Sequence, residues 1–178
     1  MKRLGRTAGA MLLGFAAGAA ADAGGIRLSP LRLELSATET ATALSIGNDE
    51  GVERRFQVQV QRWTQRDGID ELLPADDAVI ANPPMFVLAP GRTQTVRIGF
   101  VDAAPEHVER AYRVFVREVP ASAAPVAGGT PVGVQILRRF SLPLYRAPAA
   151  PVRRAVHWSA YRDGGDYVLT AHNLGNVH

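Results

Sequence analysis

The chain has 178 residues, 47% of them hydrophobic and 21% charged, with a formal net charge of +3 and no cysteine. Without cysteine, small disulfide-stapled scaffolds are excluded, and stability must come from an apolar core. Without Lys2, Arg3, Arg6 and Asp22 the net charge falls to +1, too close to neutrality to point to a nucleic-acid surface.

Residues 1–23 read as a cleaved export signal. Lys2, Arg3 and Arg6 form a basic start, Ala8 to Ala20 is a short apolar stretch, and Ala21-Asp22-Ala23 has the small-x-small pattern that signal peptidase reads. The apolar stretch is too short to span a bilayer. The mature chain is expected to begin near Gly24.

The pattern that follows is all-β. Ile26 to Leu35 alternates but is broken at Pro30, which predicts an edge strand or one that bends and changes sheets. Thr42 to Asn48 is a second strand, closed by the turn residues Asn48-Asp49-Glu50-Gly51. Phe56, Val58 and Val60 alternate with Gln57, Gln59 and Gln61, so one face is buried and the other wet, with Trp63 on the polar parity. Leu72 to Pro84 reads as irregular chain with a short extended piece, and Met85 to Leu88 as a brief strand closed by Pro90-Gly91. Val96, Ile98 and Phe100 oppose Thr95, Arg97 and Gly99, and Tyr112 to Val119 is another strand. Ala121 to Pro131, rich in Ala, Pro and Gly, is expected to be a loop.

The strand after that loop is the most informative. From Val134 to Leu144 one parity carries Val134, Ile136, Phe140, Leu142 and Leu144, interrupted only by Arg138. Alternate side chains leave a strand on opposite faces, so this apolar row can close a core or be lent to another protein. Some seven short strands at regular spacing predict a β-sandwich. Ala147 to Pro151 reads as a linker (residues 148–152), and Val156 to Tyr161 and Tyr167 to Ala171 as two strands joined at Asp163-Gly164-Gly165-Asp166. Two strands cannot stand alone. They either add to the sandwich or open a second domain, and the second reading is preferred.

Motifs for catalysis are missing. The sequence has no Gly-x-Ser-x-Gly, no His-Glu-x-x-His and no glycine-rich phosphate loop, and His107, His157, His172 and His178 lack close ligand spacing. No enzyme activity, cofactor or metal is expected. The arginines inside strands are Arg32, Arg97, Arg138 and Arg139. Each either stretches its head to water or lines a cleft and binds an anion, since guanidinium groups grip carboxylates with paired hydrogen bonds.

Several segments together resemble the periplasmic chaperones of the chaperone–usher pathway, with the nearest look to the archaic, spore-coat-U-associated branch. They are Leu28-Ser-Pro-Leu-Arg-Leu-Glu-Leu35, Ile46-Gly-Asn48, Phe56-Gln-Val-Gln-Val60 with Trp63, Leu88-Ala-Pro-Gly-Arg-Thr-Gln-Thr-Val-Arg97, Tyr112 to Pro120, Phe140-Ser-Leu-Pro-Leu-Tyr145 and Asn173-Leu-Gly-Asn176. The resemblance implies two immunoglobulin-like domains around a cleft. The first would span residues 24–147 and be complete, and residues 153–178 would be the first strands of the second. It also implies a periplasmic location, pilus or fimbrial subunits and an outer-membrane usher as partners, and donation of the Val134–Leu144 row to complete a subunit's unfinished sandwich.

In the better-known branch an arginine of the first strand and a lysine of the last anchor the subunit's C-terminal carboxylate. Arg32 matches the first. The lysine's place falls near Leu142, so Arg97, Arg138 and Arg139 become candidates for the second, with Arg32 and Arg97 ranked first. The alternative function is a secreted immunoglobulin-like structural subunit or adhesin module of a surface appendage.

Overall fold

The computed structural model describes residues 24–66, 68–75, 79–101, 106–120 and 136–178; the proposed signal at 1–23 lies outside them. Every regular element among the described residues is a β-strand. Strand β1 (Ile26–Ser29) pairs with β3 (Ala41–Asn48) in one sheet, while β2 (Leu33–Leu35) pairs with β10 (Arg139–Arg146) in the other. The break at Pro30 is therefore a change of sheet. Proline lacks the N–H that a continuous ladder needs, and the chain crosses where that loss costs least.

The first sheet runs β1-β3-β8-β6, with β8 at Thr93–Phe100 and β6 at Val79–Asn82. The second runs β2-β10-β9-β4-β5, with β9 at Arg110–Val119, β4 at Arg54–Arg66 and β5 at Ile69–Pro74. Strand β7 (Met85–Leu88) pairs with the start of β4. All pairings are antiparallel except β2 with β10.

The alternation read from the sequence becomes the core. Phe56 and Val58 of β4, Val114 and Val116 of β9 and Leu142 and Leu144 of β10 face Leu44 and Ile46 of β3 and Val96 and Ile98 of β8. Each such side chain contributes about 1.5–3 kcal/mol when removed from water. A polar residue sits among them: Asn48 is fully buried, donating to the carbonyls of Val52 and Leu88 at 2.8 and 2.9 Å and accepting from the Glu50 N–H at 3.0 Å. Every polar group of that side chain is satisfied, and the turn after β3 is fixed by it.

Two sequence expectations change. The stretch 72–84 holds the end of β5 and all of β6 rather than irregular chain. Strand β5 is a mostly exposed partner of β4, so no apolar alternation marks it. The strand expected to run from Val134 begins at Arg139; Val134 lies outside the described residues, and Ile136–Arg138 are not in strand conformation. The linker is tied down, with the Ala147 and Ala149 N–H groups donating to Leu35 and Glu106, each at 2.8 Å.

Strands β11 (Val156–Asp163) and β12 (Asp166–Asn173) form the expected hairpin, turning at Gly164 with φ of +57°, a conformation that favours glycine. They make a two-stranded sheet of their own. The segment after β12 packs back onto the sandwich: Glu109 N–H donates to the Asn176 carbonyl at 2.8 Å, and the Asn176 side chain donates to the carbonyls of His107 and Pro151.

Candidate functional site

Strand β10 is paired unequally on its two sides. Strand β9 accompanies it from Arg139 to Arg146, but β2 reaches only Leu144 to Arg146. Among the described residues, nothing pairs with Arg139 to Pro143 on the β2 side. Backbone direction follows from two bonds. The Arg138 carbonyl accepts from Glu118 of β9 and the Ala147 N–H donates to Leu35 of β2, so odd-numbered residues turn their backbone groups toward the open side. Pro143 is one of them, and its missing N–H costs no bond to β9.

The apolar row divides along this strand. Leu142 and Leu144 are 3% and 0% exposed and belong to the core of this chain. They fill the sandwich of this chain, and withdrawing them would open it. Phe140 is half-buried against the same core, while Ile136 is 79% exposed and the neighbouring Leu137 also faces solvent. The end of the row before β10 is the free one.

The outer face of the second sheet is lined by aromatic rings with arginines on them. The odd parity of β10 (Arg139, Ser141, Pro143, Tyr145) lies beside Arg113 and Phe115 of β9 and Trp63 of β4. Arg113 lies 4.0 Å over the Trp63 ring, Arg139 4.0 Å over Phe115, and Arg32 4.5 Å over Tyr145. Such stacking holds a guanidinium in place while leaving its N–H edge for another acceptor. Arg113, Phe115, Arg139 and Ser141, with Asp70 and Leu72 of β5, line one open depression of about 460 Å³. Gln65 donates to Asp70 and holds its carboxyl below the usual aspartate range.

The four arginines singled out in the sequence have separate fates. Arg97 stands on the outer side of the other sheet, between the inward-facing Val96 and Ile98 and opposite Ala43 and Asn82. It shares no face with Arg32. The guanidinium of Arg138 is committed to Glu50 and Glu118. Arg32 remains on the right face but carries an exposed pairing with Glu34, a weak competitor for any anion. Arg139 forms no salt bridge among the described residues, and neither does Arg113, which the sequence reading missed and whose charge acts on Asp70 in the same depression. Alternation within Tyr112–Val119 marks Arg113 as outward-facing, but strand pairing is needed to set it beside Arg139.

The Arg138 cluster is electrostatically tight. The hydrogen bond from Arg138 pulls the Glu50 carboxyl below the ordinary glutamate value; at Glu118 burial is the largest influence and pushes upward, but the bonds and charges of Arg138 and Arg54 together outweigh it, so that carboxyl too sits below the ordinary value. Arg54 completes the group, donating to Glu50 at 2.7 Å and Glu118 at 3.0 Å. Among the described residues no three His, Cys, Asp or Glu side chains gather to hold a metal ion. His157 does face His172 across β11 and β12, without a third donor.

Comparison with known proteins bears on this geometry. A chain of the CsuC–CsuE chaperone–tip adhesion subunit pre-assembly complex, from the archaic chaperone–usher Csu pili of Acinetobacter baumannii, has a TM-score of 0.67 at 20% identity, over 85% of this chain and 73% of that one. The E. coli chaperone DraB gives 0.57 at 21% identity, over 81% and 68%. A chain of the Salmonella enterica SafA pilin–SafB chaperone complex gives 0.59 at 20%, over 82% and 66%. At these identities the likeness is one of fold. No curated protein sequence matches the chain. The model of the pili and flagellar-assembly chaperone family, PapD N-terminal domain, matches residues 25–151, and the chain therefore belongs to that family.

Proposed function

We propose that this protein is a periplasmic chaperone of the archaic chaperone–usher branch, which caps a pilus or fimbrial subunit by donor-strand complementation and delivers it to an outer-membrane usher. The observation that carries the reading is the open side of β10 from Arg139 to Pro143, next to the exposed Ile136 and half-buried Phe140. An unpaired edge beside apolar side chains is a template for another strand, and in an isolated protein it is a liability. A subunit that lacks a strand offers the complement, a groove and unpaired backbone of its own.

Burying the remaining exposed surface of Ile136 and Phe140 would contribute about 2–4 kcal/mol before association costs. Hydrogen bonds along the open edge add to that, each worth about 0.5–1.5 kcal/mol net. The subunit's C-terminal carboxylate would enter the depression between Arg113 and Arg139, where two ring-held guanidiniums form no salt bridge among the described residues and outnumber the one carboxylate, Asp70, that shares the lining. Arg32 extends the same basic face. Handover requires no nucleotide, since the subunit's own folding supplies the driving force. Residues 153–178 are the start of a second domain that would wall the other side of the cleft.

Co-expression with candidate exported pilus subunits, followed by pull-down, tests the reading. A soluble one-to-one complex is expected. A subunit that aggregates equally with and without this chain would contradict it, and self-assembly of this chain into fibres would favour the structural-subunit alternative.

A further inference from the structure

Arg138 interrupts an otherwise apolar row, and its surroundings give the interruption a purpose. Arg54, Glu118 and Arg138 occupy inward-facing positions at one end of the second sheet, just beyond the apolar layer of Phe56, Val116 and Phe140. Glu118 is only 3% exposed and receives the Arg138 Nε at 3.0 Å, while the other end of the guanidinium binds Glu50. Glu50 is itself placed by its N–H bond to the buried Asn48. The backbone joins in, with Glu118 N–H donating to the Arg138 carbonyl at 2.8 Å.

Register is therefore strongly specified here. A one-residue slip of β10 would turn Leu142 and Leu144 out of the core. A two-residue slip keeps the faces but puts Ile136 or Phe140 opposite Glu118, leaving Arg54 alone to neutralise two carboxylates at the end of the sandwich. We infer that Arg138 is a positioning residue: clamped by Glu50 and Glu118, it fixes where β10 begins and so fixes which residues, Ile136 outward and Arg139 to Pro143 along the edge, are presented to a subunit. This rests on the chaperone reading above and adds the device that sets the register of capture.

The test compares Arg138→Leu, Arg138→Lys and wild type in the full chain. Arg138→Leu makes the row continuously apolar, so a purely hydrophobic donor should capture the co-expressed subunit as well or better. The clamp instead predicts capture reduced about tenfold or more and amide exchange of Phe140 and Leu142 accelerated to a similar degree, with β3 and β8 unchanged. Arg138→Lys, which keeps the charge but not the two-ended grip, should fall between. Equal capture by Arg138→Leu, or unchanged exchange at Leu142, overturns the clamp. Failure of the wild type to capture any subunit overturns the chaperone reading instead.

Discussion

The two ends of the β10 segment carry the same kinds of side chain and do opposite things. Toward its C-terminal end Leu142 and Leu144 vanish into the sandwich and β2 closes the edge. Toward its start Ile136 stands in solvent, Phe140 is half-covered and the edge is open. Apolar character is therefore no guide to role along this strand. Pairing on the β2 side does not draw the line by itself, since Leu142 is buried where the edge is still open; the ionic clamp at Arg138 marks where the core ends.

That contrast can be broken deliberately. Leu144→Ala should cost about 2–5 kcal/mol in urea unfolding, as expected for a cavity at a fully buried leucine. A cost under about 1 kcal/mol would mean the C-terminal end is not core. Ile136→Asp should leave unfolding within about 0.5 kcal/mol of wild type, because the side chain is exposed, yet abolish subunit capture. A matching loss of stability would erase the distinction between the ends.

On the basic face, Arg113→Ala and Arg139→Ala should each weaken capture about tenfold, the loss of a charge-assisted pair of bonds. Arg97→Ala, on the opposite sheet, should change it little. Equal effects from all three in a binding titration would point to general charge attraction instead. The smallest effect concerns acid. Glu50 and Glu118 are held below their ordinary value near 4.5, so the stability they contribute is present above that value and is lost as pH falls through the lower folded values. Unfolding followed between pH 6 and pH 3 should therefore show a decline (about these limits, from the ordinary carboxylate range) that Glu118→Gln flattens.

Much of this was legible in the chain itself. The alternation at Phe56–Val60, Val96–Phe100 and Tyr112–Val116 gave the core, and Pro30 announced the change of sheet. Strand β5 was hidden because its side chains are mostly exposed, so pairing rather than burial defines it. The anchor residues were harder. Arg97 and Arg139 look alike in one dimension, each set in an alternating strand, and only the assignment of β8 and β10 to different sheets separates them. Arg138 resembled a solvated interruption because its partners, Glu50 and Glu118, lie far away in sequence. Arg113 went unnoticed since its significance is the ring of Trp63 beneath it and Arg139 across the depression.

The most direct measurement is residue-resolved amide exchange of Arg139 and Ser141, whose backbone N–H groups turn to the open side of β10, in the free protein and in complex with a subunit. Pairing with a visiting strand predicts fast exchange in the free chain and slowing by about tenfold or more on capture, the equivalent of about 1.4 kcal/mol. A stable complex in which both amides exchange as fast as before would mean the subunit is held somewhere other than this edge.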